Sequence, residues 1–177
     1  MNLEAHVETL KTAIRDVPDY PKPGIVFKDI TTLLQDAVLF RRTVDLLVVL
    51  AGDRPVDRIV AIESRGFLLG GALAHRLGAG LVLVRKPGKL PWKTVSASYE
   101  LEYGTDSVEM HEDALAAGDR VLVVDDVIAT GGTARAVGEL TEGLGATISA
   151  YLFLAELTFL NGRKQLPGQE ILSLIRY

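Results

Sequence analysis

The segment Val121-Leu-Val-Val-Asp-Asp-Val-Ile-Ala-Thr-Gly-Gly-Thr-Ala134 constrains this chain more than any other. It opens as an unbroken apolar run, Val121 to Val124, placed between Gly118-Asp119 and a pair of carboxylates. A short run of that kind reads as a strand buried on both faces. Asp125 and Asp126 then stand where the strand is expected to end. Ala129-Thr-Gly-Gly-Thr133 follows as a loop of small residues, and Ala134, Val137, Leu140 and Leu144 begin a helical pattern. A strand, such a loop and a helix start bring backbone N–H groups and the positive end of the helix dipole to one point. The pattern predicts an anion site, with Thr130 and Thr133 adding hydroxyl donors.

The loop lacks the Gly-x4-Gly-Lys-Ser/Thr spacing and the lysine of a nucleotide P-loop, and it lacks Gly-x-Gly-x-x-Gly. Its distinguishing feature is the carboxylate pair just before it. Negative charge beside an anion site needs another task. The hydroxyls of a sugar attached to the anion would supply one, because ionised carboxylates only accept hydrogen bonds. The arrangement points to a ribose 5-phosphate.

The 177 residues suit one domain, 1–177, and the 48% apolar content suffices for a packed core. A formal charge of −4 argues against nucleic acid or a membrane surface as the main partner. The chain has no cysteine, which excludes disulfide and thiolate chemistry. Glu4, Glu8 and Asp16 interrupt the N-terminal apolar pattern, unlike a signal peptide, and no apolar run is long enough for a membrane span. A cytoplasmic protein is expected.

Leu3, Val7, Leu10 and Ile14 form a helical stripe that Pro18 is expected to stop, and Pro18 to Gly24 is expected to be extended. Phe40, Val44, Leu47 and Val48 predict a second helix. Arg58 to Ile62 predicts a buried strand running into Glu63-Ser-Arg-Gly-Phe67 and a helix rich in small residues. Arg65 at that strand end suits a second anion, because ligands of open α/β sheets bind at the carboxyl ends of strands. Gly80 to Val84 predicts another strand, ending in Arg85-Lys-Pro-Gly-Lys-Leu-Pro91, whose cations Arg85, Lys86 and Lys89 are held on a stiff backbone. Thr94 to His111 alternates as a hairpin, with Tyr99, Leu101 and Tyr103 on one face and Ser98, Glu100 and Glu102 on the other. Strands over Ala146–Leu154 and Ile171–Ile175 complete the pattern. Parallel strands alternating with helices define an α/β doubly wound sheet.

Val-Val-Asp-Asp-Val-Ile-Ala-Thr-Gly-Gly-Thr resembles the phosphoribosyl-pyrophosphate motif of the type I phosphoribosyltransferases. Arg85-Lys-Pro-Gly-Lys-Leu-Pro91, Ser98-Tyr-Glu-Leu-Glu-Tyr-Gly104 and the Glu156 to Arg163 stretch are similar to segments of the adenine-specific branch. The resemblance spans nearly the whole chain. It implies a small hood built from the Pro-rich N-terminal and the C-terminal segments. It also implies a strained, often cis, non-proline peptide in the loop around Arg65.

The implied reaction is adenine plus phosphoribosyl pyrophosphate giving AMP and diphosphate, with Mg2+ held mainly by the substrate rather than by protein ligands. Asp125 and Asp126 would hold the ribose, and Ala129, Thr130, Gly131, Gly132 and Thr133 the 5-phosphate. Arg65, Lys86 and Lys89 would meet the diphosphate, and Tyr103 would cover it. Arg85 would reach a neighbouring subunit's site, which implies a homodimer. Phe27 would stack on the base with Val26 and Lys28 beside it, and Glu102 would be the acid or base for the purine nitrogen. Two alternatives stay open: transfer to another base such as xanthine or hypoxanthine, and a regulator that senses phosphoribosyl pyrophosphate.

Overall fold

The computed structural model describes residues 3–100 and 104–177. Two compact units follow one another, divided between Leu46 and Leu47. The first holds α1 (Leu3–Ala13), β1 (Arg15–Pro18), β2 (Val26–Asp29), α2 (Thr31–Gln35) and the start of α3 (Ala37–Ala51). Leu3, Val7 and Leu10 of the expected stripe fall in α1, with Leu10 buried, and Ile14, also buried, lies just past its end. Pro18 does not end that helix, however. The helix stops at Ala13, and Arg15–Pro18 pairs antiparallel with β2, Val17 opposite Phe27. In a two-stranded ribbon both strands are edges, where proline's missing N–H is tolerated.

Pro18 is extended as expected, as the end of β1, but Asp19 to Gly24 is a turn rather than an extended stretch. Asp19 Oδ1 accepts the Gly24 N–H at 2.8 Å, Tyr20 N–H donates to Ile25 O at 3.2 Å, and Tyr20–Pro21 is cis. Asp36 caps α3, its Oδ1 accepting the N–H groups of Val38 and Leu39 at 2.8 and 2.9 Å.

The second unit is built on β3 (Arg58–Ile62), α4 (Gly66–Leu77), β4 (Gly80–Val84), β5 (Thr94–Glu100), β6 (Thr105–His111), β7 (Arg120–Ile128), α5 (Gly132–Gly143), β8 (Thr147–Glu156) and β9 (Ile171–Arg176). Short 3-10 turns at Thr158–Leu160 and Gly162–Gln165 link β8 to β9. Five strands form one parallel sheet in the order β4-β3-β7-β8-β9. Ile171–Arg176, expected in a hood, is instead the sheet's edge strand. Its apolar run pairs with β8, Leu172 opposite Leu152. The alternation of β3 serves both faces. Ile59 and Ala61 meet Gly70 of α4, whereas Val60 and Ile62 join a core with Val137 and Leu140 of α5. The sheet is therefore doubly wound, as the sequence predicts. β5 and β6 pair antiparallel as the expected hairpin, and its Tyr99, Val108 and Met110 are buried in the core that α5 shares.

Strand order reverses between β3 and β7. From β3 the chain moves outward to β4, then returns to the other side of β3 at β7 and continues to β8 and β9. The crevice beyond the carboxyl ends of β3 and β7 is the topological switch point, where open α/β sheets bind ligands. No helix among the described residues is long and apolar enough to cross a membrane.

Candidate active site

The carboxylate pair lies inside β7 rather than after it. Asp125 pairs with Phe153, and the ladder continues to Ile128 opposite Glu156. Apolar character after Val124 falls away at the crevice, but backbone pairing with β8 carries on. The helix begins earlier than its apolar pattern, at Gly132, so Gly132 and Thr133 form the first turn of α5. Gly131 precedes it with φ of 86°, a backbone state that glycine adopts without penalty. No side chain caps α5 and no acid lies in its first turn, and the same holds for α4 behind Arg65. The start of α5 therefore leaves its first N–H groups for a ligand and adds no negative charge of its own, whereas at α4 the N–H groups of Phe67 and Leu68 already donate to Ser64 O and Arg65 O at 3.2 Å.

Asp125 lines a pocket of about 90 Å³ with Ala129, Thr130, Gly131, Thr133 and Phe153. A larger depression of about 640 Å³ lies on the first unit between Glu8, Thr12 and Leu39, but it is mostly apolar. The chemistry, not the size, selects the smaller pocket.

Asp125 Oδ1 accepts the N–H of Asp126 at 2.8 Å and sits against the start of α4. A Cβ on Gly66 would stand 2.8 Å from that oxygen and 3.0 Å from Val124 O. Burial pushes the Asp125 carboxyl well above the ordinary value, and the charge of Asp126 pushes it further. Asp125 lines the pocket beside the loop, where its carboxyl can accept from sugar hydroxyls. Asp126 is buried and takes a hydrogen bond from Arg65 Nε across the crevice. The loop around Arg65 also contains a cis Glu63–Ser64 peptide.

Arg85, Lys86 and Lys89 gather at the neighbouring end of β4, all partly exposed. Two acids that the sequence reading did not single out hold them there. Glu63 accepts the Lys86 N–H at 2.9 Å and Arg85 Nε at 3.3 Å, and pairs with Lys89. Burial raises its pKa, but the bonds from Lys89 and the Lys86 backbone outweigh this and hold it below the ordinary value. Asp106 pairs with Lys86, whose ammonium also donates to Tyr99 Oη at 2.7 Å. The Lys86 bond chiefly holds Asp106 below its ordinary value. Glu63 directly follows β3, which made it legible as a strand-end residue. Asp106 lies within the alternating hairpin segment, which carries no signal for this pairing.

The hairpin reaches the helix start: a Cβ on Gly132 would lie 3.2 Å from Tyr99 Cδ2. Glu102 and Tyr103 lie outside the described residues. Val26, Phe27 and Lys28 belong to the first unit. There Phe27 meets Tyr20 edge-on at 5.3 Å, Lys28 Nζ contacts Asp16 Oδ1 at 2.6 Å, and Val26 is exposed. Among the described residues no three His, Cys, Asp or Glu side chains converge as a metal cage.

Residues 48–161 match the family model of the phosphoribosyl transferase domain. That class agrees with a switch-point crevice carrying paired carboxylates and an uncapped small-residue loop. The chain is 57% identical, over 97% of its length and 100% of the relative's, to an adenine phosphoribosyltransferase of Geobacter metallireducens. It is similar to the crystal structure of the adenine phosphoribosyltransferase of Thermoanaerobacter pseudethanolicus (TM-score 0.95, 54% identity, covering 97% and 99% of the two chains). It also matches that of Saccharomyces cerevisiae, complexed with adenine and an imino-altritol bisphosphate (TM-score 0.91, 42% identity, covering 97% and 99%). The chain belongs to the adenine phosphoribosyltransferase family.

Proposed function

We propose that this chain transfers the 5-phosphoribosyl group of phosphoribosyl pyrophosphate to adenine, forming AMP and diphosphate. The observation that carries the reading is the pocket in which Asp125 leads, within one strand and loop, to the uncapped start of α5. An anion with hydroxyls beside it satisfies both halves. Adenine as acceptor is supported by the relatives' names and by the adenine bound to the yeast relative.

In this reading the N–H groups of residues 129–133 bind the 5-phosphate, and Asp125 and Asp126 accept from the ribose hydroxyls. Arg65 leaves Asp126 partly for the diphosphate, Lys86 and Lys89 face the same group, and Arg85 reaches the diphosphate of a neighbouring subunit's site. The C1–O bond to diphosphate breaks as the purine nitrogen bonds to C1, and the nitrogen's proton departs. The reacting carbon passes through an oxocarbenium-like state, as in glycoside cleavage. Fixed cations that meet the leaving charge lower that barrier without reorganising. Glu102 is the acid or base of this reading, Tyr103 covers the diphosphate, and Phe27, with Val26 and Lys28, forms the base pocket.

Mg2+ is the implied ion, and when bound it neutralises diphosphate charge. The diphosphate and the sugar hydroxyls would hold it, with waters completing the shell of an ion that keeps most of its water, and Asp125 and Asp126 would fix the ribose beside it. Residues 1–177 would act as one catalytic domain. Exposed Leu81 and Leu83 on the edge strand β4, with Leu68 on α4, support pairing with a second copy.

The test is nucleotide formation by the purified chain with Mg2+, phosphoribosyl pyrophosphate and each of adenine, hypoxanthine, guanine and xanthine. AMP from adenine alone is the expected result. Turnover of another base in its place would overturn the acceptor. Binding of phosphoribosyl pyrophosphate with no turnover would favour a sensor.

A further inference from the structure

Glu156 closes β8 as a buried acid, 5% exposed. Arg163 grips it with two parallel bonds, Nε to Oε1 at 2.6 Å and Nη2 to Oε2 at 2.7 Å. The same guanidinium donates to Ile171 O at 2.9 Å and Ser173 Oγ at 3.3 Å, both on β9. One side chain thus ties the Gly162–Gln165 turn to two adjacent strands. The turn in question is the wall of the candidate phosphate loop.

Gly162 packs backbone against backbone on that loop. A Cβ on Gly162 would collide with Ala129 O and stand 2.9 Å from Ile128 Cγ1. A Cβ on Gly131 would collide with Gly162 O and stand 3.1 Å from Gln165 Cβ. Leu157 N–H donates to Ile128 O at 3.0 Å and fixes the near end of the same wall. No side chain lies between the two glycine backbones to absorb a shift. A displacement of Gly162 is therefore passed on to Ala129–Gly131.

We infer that Arg163 is a positioning residue for the 5-phosphate loop, acting through Gly162. The inference rests on the reading of residues 129–133 as that loop. Anion binding by backbone N–H groups tolerates displacements of only about 0.5 Å. A planar two-point fork sets position and angle together, which a lysine ammonium cannot reproduce.

The test compares wild type with Arg163→Lys, which keeps a cation beside the buried Glu156. The pair Glu156→Gln with Arg163→Gln removes both charges and serves if the lysine variant folds poorly. Calorimetric titration with ribose 5-phosphate is read beside kcat, the KM for each substrate and the melting curve. Expected is a cooperatively melting variant that binds ribose 5-phosphate roughly tenfold or more weakly. The KM for phosphoribosyl pyrophosphate should rise in step, with the KM for adenine nearly unchanged. Unaltered ribose 5-phosphate affinity in a folded variant would overturn the inference, as would a loss of kcat with both KM values unchanged. Wild type failing to bind ribose 5-phosphate would overturn the phosphate-loop reading itself, and this inference with it.

Discussion

Asp125 is held in a position that costs the fold stability. Its carboxyl is raised by burial and by Asp126, so the folded chain binds that proton more tightly than the unfolded chain. The sign follows from linkage: stability from this group is full below the ordinary value of 3.8 and is lost as pH rises toward the folded value. Asp125→Asn keeps the acceptor for the Asp126 N–H and removes the charge. We expect it to melt higher than wild type at pH 7, with the gap closing as pH falls toward 3.8, and to lose phosphoribosyl transfer. A variant that melts lower at pH 7 would contradict this account of the site. Glu63 does a different task, holding Lys89, Arg85 and the Lys86 backbone in one group. Glu63→Gln should raise the KM for phosphoribosyl pyrophosphate while leaving that for adenine close to wild type. Steady-state kinetics with each substrate varied would show equal changes in both if Glu63 were only structural.

Elements position these residues through close approaches that small side chains permit. Gly70 of α4 lies on β3 so tightly that a Cβ there would stand 2.6 Å from Ala61 Cβ. Gly70→Val should cost about 1–3 kcal/mol by overpacking. Thermal melting should register this as a loss of roughly 2–4 °C per kcal/mol for a chain of this size, and an unchanged Tm would show that α4 can move away freely. Legibility in the sequence divides along the same line. Val121–Val124 and Arg58–Ile62 were readable as buried strands because uninterrupted apolar runs have few other uses in a parallel sheet. The end of β7 was not, because the ladder to β8 extends past Asp125 and Asp126 and overrides their polarity. Arg15–Pro18 was missed because its partner, Val26–Asp29, is supplied from beyond a turn. The cations were legible as a cluster on a stiff loop. Glu63 was legible only by its place at a strand end and Asp106 not at all, and neither pairing could be read because each joins residues far apart in the chain.

Charge across the molecule sets its response to acid. Glu156, held below its ordinary value chiefly by Arg163, acts in the same sense as Glu63 and Asp106, and Asp125 opposes them. A depressed folded pKa gives stability that is present above the unfolded value and lost as pH falls through the folded one. The melting temperature of wild type should therefore hold steady near neutrality and fall as pH drops below about 4.5, the ordinary glutamate value. Glu156→Gln should lose part of that acid sensitivity. A melting temperature flat down to pH 3 would mean that these pairings add nothing to the fold.

The switch point between β3 and β7 gathers the strand ends into one crevice, and what binds there decides the function. A crystal structure of the chain with AMP tests it most directly. Phosphate oxygens are expected on the N–H groups of residues 129–133 and ribose hydroxyls on Asp125 and Asp126. AMP bound with its phosphate elsewhere, or with its ribose turned away from both carboxylates, would contradict it.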